Sequence, residues 1–334
     1  MSAASPRIGI IGTGAIGGFY GVMLARAGFD VHFLLRSEYA AVRERGLQVN
    51  SAVHGPLLLA QPQVYCDPAQ MPACDWLLVG AKSTSNDALG SIIAQLAAPG
   101  CKVVVLQNGL DVENAIRPYL PESVHLLGGL CAICAHRSAP GVVEHQALGG
   151  VNLGYHSGPA DDDAQAQLAL LNEMVEMFRQ AGVDSSAMPS LAQARWMKLV
   201  WNVPFNGLSA LLDAGTEALL GNEDSRSQVK AIMQEVCATA QALGHAIPED
   251  FAEKLLIGTA RMPDYLPSMY HDRFQCRPME LDAIYAAPLD AAARVGVAMP
   301  KTELLYRTLR FLETRSPRMT RTQNRRPLRS SLAR

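Results

Sequence analysis

The chain has 334 residues, 49% hydrophobic and 18% charged, with a formal net charge of −2, a profile that excludes a disordered chain and leaves room for two hydrophobic cores. No apolar run reaches the roughly 18–20 residues of a membrane span, and MSAASPRIGI at the N-terminus lacks the apolar stretch of an export signal. No membrane association is expected, and seven cysteines in mostly apolar settings fit a reducing cytoplasm.

RIGIIG, Arg7 to Gly12, is a short β-branched run of the kind found in strands buried on both faces. It leads into a segment with Ile16, Tyr20, Met23, Leu24 and Ala27 at helical steps, closed by Gly28, and then into the strand-like DVHFLLR. Strand, glycine turn, helix and strand within about 30 residues form a βαβ unit with parallel strands. Gly12, Gly14 and Gly17 supply G-x-G-x-x-G in that context. The first allows the tight turn, the second allows close approach of a pyrophosphate, and the third allows the helix to pack on the strand. The segment Gly12, Thr13, Gly14, Ala15, Ile16 and Gly17 is therefore the expected dinucleotide-binding turn.

At the end of the second strand the chain reads FLLRSE. An arginine there accommodates a 2′-phosphate, whereas an acid would bind the ribose hydroxyls. Arg36 and Ser37 thus point to NADP(H); the alternative makes Arg36 a surface cation and gives Glu38 the NAD-type role. Further strands are expected at Trp76–Lys82 and Cys101–Gly109, with a helix between them stopped by Gly100. In an α/β sheet, functional loops follow the C-terminal strand ends, where Lys82, Gln107, Asn108 and Gly109 stand. A solvated lysine and a plain Asn-Gly turn are the alternatives.

Residues Val124 to Tyr155 read as antiparallel strands turning at SAPG, with Cys131 and Cys134 as buried thiols, since no further Cys or His pair has a metal spacing. An amphipathic helix ending at Gly182 closes this half. Beyond it the pattern is helical, apart from an expected coil between Arg261 and Met279. Within RWMKLVWNVPFNGLSAL, Lys198, Asn202 and Asn206 follow at steps of four and fall on one helix face among large apolar residues. Polar groups in such a wall need partners or a ligand; the alternative is a surface stripe. Pro204 removes a backbone donor between the asparagines and is expected to kink the helix or free a carbonyl. From Arg315 the chain carries seven arginines and no acid, and reads as a solvated tail without the aromatic partners of a nucleic-acid-binding segment. No nucleic-acid partner is expected.

GTGAIGG, LLR, Ala81-Lys82, QNG at Gln107 to Gly109, WMKLVWNVPFN and SMYHDRFQCRPMELDAIY occur in the order in which the ketopantoate reductases (2-dehydropantoate 2-reductases) carry similar motifs. The resemblance covers about residues 7 to 312. It implies an α/β protein with an N-terminal Rossmann-type dinucleotide-binding domain followed by an all-α C-terminal domain, divided as 1–188 and 189–314, with 315–334 as a basic tail. It also implies NADPH-dependent reduction of ketopantoate to pantoate, a step toward pantothenate, and a homodimer through the helical domain. Carried over by position, the resemblance makes Lys198 and Glu280 catalytic and assigns Asn108, Asn202, Asn206 and Ser268 to the substrate. Lys82, Arg36 and again Asn108 fall to the cofactor, and no metal is implied. Departures from the family's pattern are Gln107, where a histidine is common, together with Trp201 and Pro204.

These residue types suit the chemistry. Hydride delivery to a carbonyl carbon leaves negative charge on oxygen, which a cation or acid must meet. Apolar neighbours would lower the proton affinity of Lys198 and a carboxylate such as Glu280 would raise it. The amides and the serine can bind a small 2-oxo acid without adding charge. Two other readings stay open: a reductase of another small 2-oxo acid, and a dinucleotide sensor without turnover.

Overall fold

The computed structural model describes residues 5–315. Its first half contains β1 (Arg7–Ile11), α1 (Ala15–Arg26), β2 (Asp30–Leu34), α2 (Tyr39–Arg45), β3 (Leu47–Ser51), β4 (Gly55–Leu59) and β5 (Gln63–Tyr65). There follow β6 (Cys74–Val79), α3 (Asn86–Leu96), β7 (Ala97–Val105), α4 (Val112–Ile116), β8 (His125–Ala139), β9 (Val142–Ser157), α5 (Ala164–Gln180) and β10 (Ser185–Ala187). The second half is helical: α6 (Leu191–Leu212), α7 (Thr216–Gly221), α8 (Glu223–Ala242), α9 (Phe251–Ala260), α10 (Ser268–Phe274), a π-helical turn at Asp282–Ala286, α11 (Ala287–Arg294) and α12 (Pro300–Arg315).

The strands form one mixed sheet in the order β4-β3-β9-β8-β7-β6-β1-β2-β5, with β10 beside β9. β1 pairs in parallel with both β2 and β6, so the chain reverses its winding at β1 and opens a crevice beyond the C-terminal end of that strand. The long β8–β9 hairpin is antiparallel, as the SAPG turn predicts. Phe19, Tyr20, Met174 and Phe178 of α1 and α5 fill one face of the sheet, while Leu89, Ile93 and Ile116 of α3 and α4 cover part of the other. This gives the Rossmann-type layers, and the helical half builds a separate core in which Leu199 and Val203 of α6 share a cluster with Val229, Ile232 and Val236 of α8.

Three local expectations change. The helix expected to run to Gly100 stops at Leu96, and β7 begins at Ala97; Pro99 lacks the N–H and the steric freedom to continue a helix. The expected coil after Arg261 contains α10. The helix around Pro204 stays continuous from Leu191 to Leu212. Arg315 closes α12, and the rest of the expected basic tail lies outside the described residues.

Candidate active site

The glycine turn has three different reasons for its three glycines. Gly12 has φ +88° and a Cβ there would lie 2.3 Å from the Ala81 nitrogen, so the turn and the close packing on β6's end both require glycine. A Cβ on Gly17 would lie 2.3 Å from the Gly12 carbonyl oxygen, which is the close helix–strand approach. A Cβ on Gly14 would meet nothing within 4 Å. Protein packing therefore leaves open the space in front of Gly14, at the N-terminus of α1, where no side chain caps the helix. Next to it the Thr13 hydroxyl is buried with no hydrogen-bond partner among the described residues. Free backbone donors, helix dipole and room for a ligand fit the phosphates of a dinucleotide.

At the end of β2, Arg36 and Ser37 are exposed and line the same cleft. Glu38 is buried instead and forms an ion pair with Arg137 of β8, while its other oxygen accepts from the Gly141 nitrogen at 3.3 Å. The acid that would serve ribose hydroxyls is thus held by protein groups, and Arg36 has no ion-pair partner among the described residues.

Beyond β6, Lys82 forms an ion pair with Asp272 of α10. Asp272 is buried and also accepts from Arg277 Nε at 2.9 Å. At the end of β7 the Gln107 amide donates to the Ala81 carbonyl at 2.9 Å and to Asn86 Oδ1 at 2.7 Å. Asn108 faces the cleft. Gly109, with φ +102°, has no room for a Cβ, which would come 2.5 Å from the Ala283 carbonyl oxygen, and the next nitrogen, of Leu110, donates to that oxygen at 2.8 Å. The sheet and the helical half touch there through backbone.

From α6, Lys198 reaches toward β8 and donates to the Cys131 carbonyl at 2.9 Å. Desolvation in the cleft wall is the main reason its pKa falls to about 8; Cys131 and Glu280 oppose the shift and Arg195 adds to it. Asn202 and Asn206, one and two turns further, are both buried and line the cleft, and the Asn202 Nδ2 has no partner among the described residues. Glu280 is buried and accepts from the Ser83 backbone nitrogen at 3.2 Å and from its hydroxyl at 3.1 Å. It makes no direct ion pair with Lys198 among the described residues; it acts on the ammonium through its charge. Ser268 opens α10 at the cleft's edge.

Of the residues that the sequence assigned to catalysis, substrate or cofactor, all except Gly17, which lies behind the turn, line a single cleft of about 1290 Å³ between sheet and helices. Sequence spacing did not point to several others. His136 of β8 and His271 of α10 stack on each other in the lining of the cleft, with ring centroids 4.5 Å apart. Burial, then the neighbouring His136, pushes His271 down to about 4. The same cleft is also lined by the apolar Met197, Trp201, Phe251, Leu255, Met262 and Tyr265; the helical pattern of Phe251 and Leu255 on α9 gave no hint of the cavity they face. Among the described residues no cluster of metal-binding side chains occurs, and no helix is long and apolar enough to cross a membrane.

Residues 8–158 match the family model described as "Ketopantoate reductase PanE/ApbA", and residues 190–313 match its C-terminal counterpart, "Ketopantoate reductase PanE/ApbA C terminal". The chain is similar to the 2-dehydropantoate 2-reductase of a Nostoc species, with 39% identity over 313 residues that cover 93% of this chain and 96% of the relative. Among solved structures it resembles 2-dehydropantoate 2-reductase from Geobacter metallireducens, with a TM-score of 0.84, 39% identity and coverage of 93% and 100%. It also resembles the enzyme of that name from Methylococcus capsulatus, with a TM-score of 0.78, 34% identity and coverage of 93% and 97%.

Proposed function

Because the chain belongs to the ketopantoate reductase family and is an oxidoreductase acting on a 2-oxo acid, we propose that it reduces 2-dehydropantoate to pantoate with NADPH, as a step of pantothenate biosynthesis in the cytoplasm. The observation that carries this reading is the position of Lys198: a lysine whose pKa is lowered to about 8 faces the same cleft as the glycine turn. A group near neutrality is well matched to giving up a proton in the reaction.

NADPH, when bound, supplies the hydride for the C2 carbonyl. The open space at Gly14 and the free N–H groups of α1 accept its phosphates, and the exposed Arg36 guanidinium is the partner for a 2′-phosphate. Asn202, Asn206 and Ser268 offer donors and acceptors for the hydroxyl and carboxylate of the substrate, with Asn108 on the opposite, sheet side. Lys198 donates its proton to the carbonyl oxygen as negative charge develops there. Glu280, held by Ser83, favours the charged ammonium and offers a carboxylate to a substrate hydroxyl. The free thiols among the described cysteines suit a reducing compartment. The same reading includes a homodimer through the helical half, where α12 leaves Leu304 and Phe311 exposed.

The apolar lining that Trp201 shares with Met197, Leu255 and Tyr265 favours a second substrate reading, a 2-oxo acid with a bulkier branched or aromatic substituent. NADPH oxidation against a panel of 2-oxo acids, for the native chain and Lys198→Ala, tests all of this. Turnover with ketopantoate that is lost in the variant while NADPH still binds supports the first reading. Preference for a bulkier acid supports the second, and NADPH binding without turnover on any acid rejects both in favour of a sensor.

A further inference from the structure

We propose that Arg195, clamped by Glu113, is a positioning residue for Lys198: it ties the cleft-facing side of α6 to the end of β7 and sets the fixed charge behind the ammonium. This rests on the reading of Lys198 as the proton donor.

Arg195 lies three residues before Lys198, nearly one turn back along α6, and is buried at 3% exposure. Its guanidinium leaves the helical half and enters the sheet. It donates to the Gln107 carbonyl, to the Val105 carbonyl at 3.3 Å, and to the carboxylate of Glu113 at the start of α4, with Nε left without a partner among the described residues. The carboxylate occupies a slot shaped for it, since a Cβ on Gly128 would come within 2.4 Å of Glu113 Oε1. From Gln107 the contacts continue through its side chain to the Ala81 carbonyl at 2.9 Å, and Ala81 is the residue packed against Gly12. A continuous set of contacts thus runs from the helix bearing Lys198 to the glycine turn.

Stability does not account for such a pair. A buried ion pair loses much of its Coulombic gain to desolvation, and apolar residues of similar volume often stabilise as well or better. What it does supply is a fixed planar fork with several donors in one geometry, and a charge. The charged and titratable groups acting on Lys198 are Cys131 from β8, Glu280 from the segment ahead of the π-helical turn, and Arg195 on α6 itself. Arg195 is the one that opposes the ammonium, and Glu113 limits how strongly it does so.

The test uses the full chain with ¹³C-methylated lysines, following the Lys198 resonance by NMR as pH is raised, alongside pH profiles of kcat/KM. In Arg195→Met the Lys198 titration moves to higher pH, because the like charge that opposes the ammonium is gone. In Glu113→Gln it moves the opposite way, by less. The alkaline limb of kcat/KM follows in each case. Arg195→Lys, which keeps the charge but loses the fork, lowers kcat about tenfold or more with little change in KM for NADPH. Titrations that stay put, or move in the same direction in both charge variants, overturn the proposal, as does unchanged kcat in Arg195→Lys. Should Arg195→Met fail to fold, the double variant Arg195→Met/Glu113→Gln must titrate above Glu113→Gln alone, and equal midpoints overturn it. Titrations that shift as stated while the rate profile stays fixed support the role of Arg195 and reject Lys198 as the acid.

Discussion

Lys82 at the end of β6, in the lining of the cleft, forms an ion pair with Asp272 on α10, and Asp272 has a second partner in Arg277. In the role that the family resemblance gives Lys82, at a cofactor phosphate, the lysine first leaves a carboxylate, and the carboxylate keeps a cation when it does.

Asp272→Asn should release Lys82 and tighten NADPH binding several-fold, and affinity should become more sensitive to salt as the lysine turns to the phosphates. Fluorescence titration at two ionic strengths checks this; weaker binding in the variant would mean that the ion pair holds the site in shape rather than competing with the ligand.

Lys198 gives two pH signatures. In the proposed role of Lys198 as proton donor, reduction needs the protonated ammonium, so kcat/KM should fall as pH rises through about 8. Its folded pKa also lies below the ordinary lysine value near 10.5, so the unfolded chain binds more protons between those values. Stability contributed through this group therefore increases with pH over that window, and the burial cost is fully present below about 8. Lys198→Met should raise stability at pH 7 by about 1–3 kcal/mol while reducing turnover roughly 10²–10⁴-fold. Thermal melts and steady-state rates check both; a destabilised variant would contradict the burial cost.

The turn glycines should separate ligand binding from folding. Gly14→Ala meets no protein atom within 4 Å, so it should leave the melting temperature within a degree or two and weaken NADPH binding. Gly17→Ala would force Cβ onto the Gly12 carbonyl and should cost about 1–3 kcal/mol of stability. Equal effects on melting would remove the case for a phosphate in front of Gly14.

Arg36→Ala should raise KM for NADPH by a factor of ten or more, as expected from about 1.5–3 kcal/mol for a charge-assisted contact, with little change for NADH. Glu38 is held by Arg137 and so offers no compensating ribose contact. A variant that loses both coenzymes equally would show that Arg36 supports the fold rather than the 2′-phosphate.

The stacked His136 and His271 predict acid sensitivity. Burial first, and then its partner, holds the His271 pKa near 4, below the ordinary 6.5. The unfolded chain therefore binds the proton more readily in that interval, and stability is lost as pH falls through it. His271→Phe should flatten the slope of melting temperature against pH between about 4 and 6.5; an unchanged slope would assign the acid loss elsewhere.

The glycine turn and the row Lys198, Asn202, Asn206 were legible because each depends on spacing within one element, which a sequence displays directly. Both fall in the cleft the structure forms. The partners were not legible. Asp272 with Lys82, Arg137 with Glu38, Arg195 with Glu113 and His136 with His271 are all far apart in the chain, and no local period encodes their meeting. Glu38 shows the difference best: its position after β2 suits a ribose, and only the β8–β9 hairpin folding over it explains its burial. The helix at Ser268–Phe274 was hidden because a single turn-rich stretch of seven residues has too few steps to reveal a period.

The bare backbone contact at Gly109 has a bearing on how such proteins can be recombined. A helical half transplanted onto another nucleotide-binding half would meet a host side chain where Ala283 needs hydrogen alone. Chimeras that keep glycine at that seam should assemble, and hosts with any larger residue there would be held apart at the joint, whatever the quality of their separate cores.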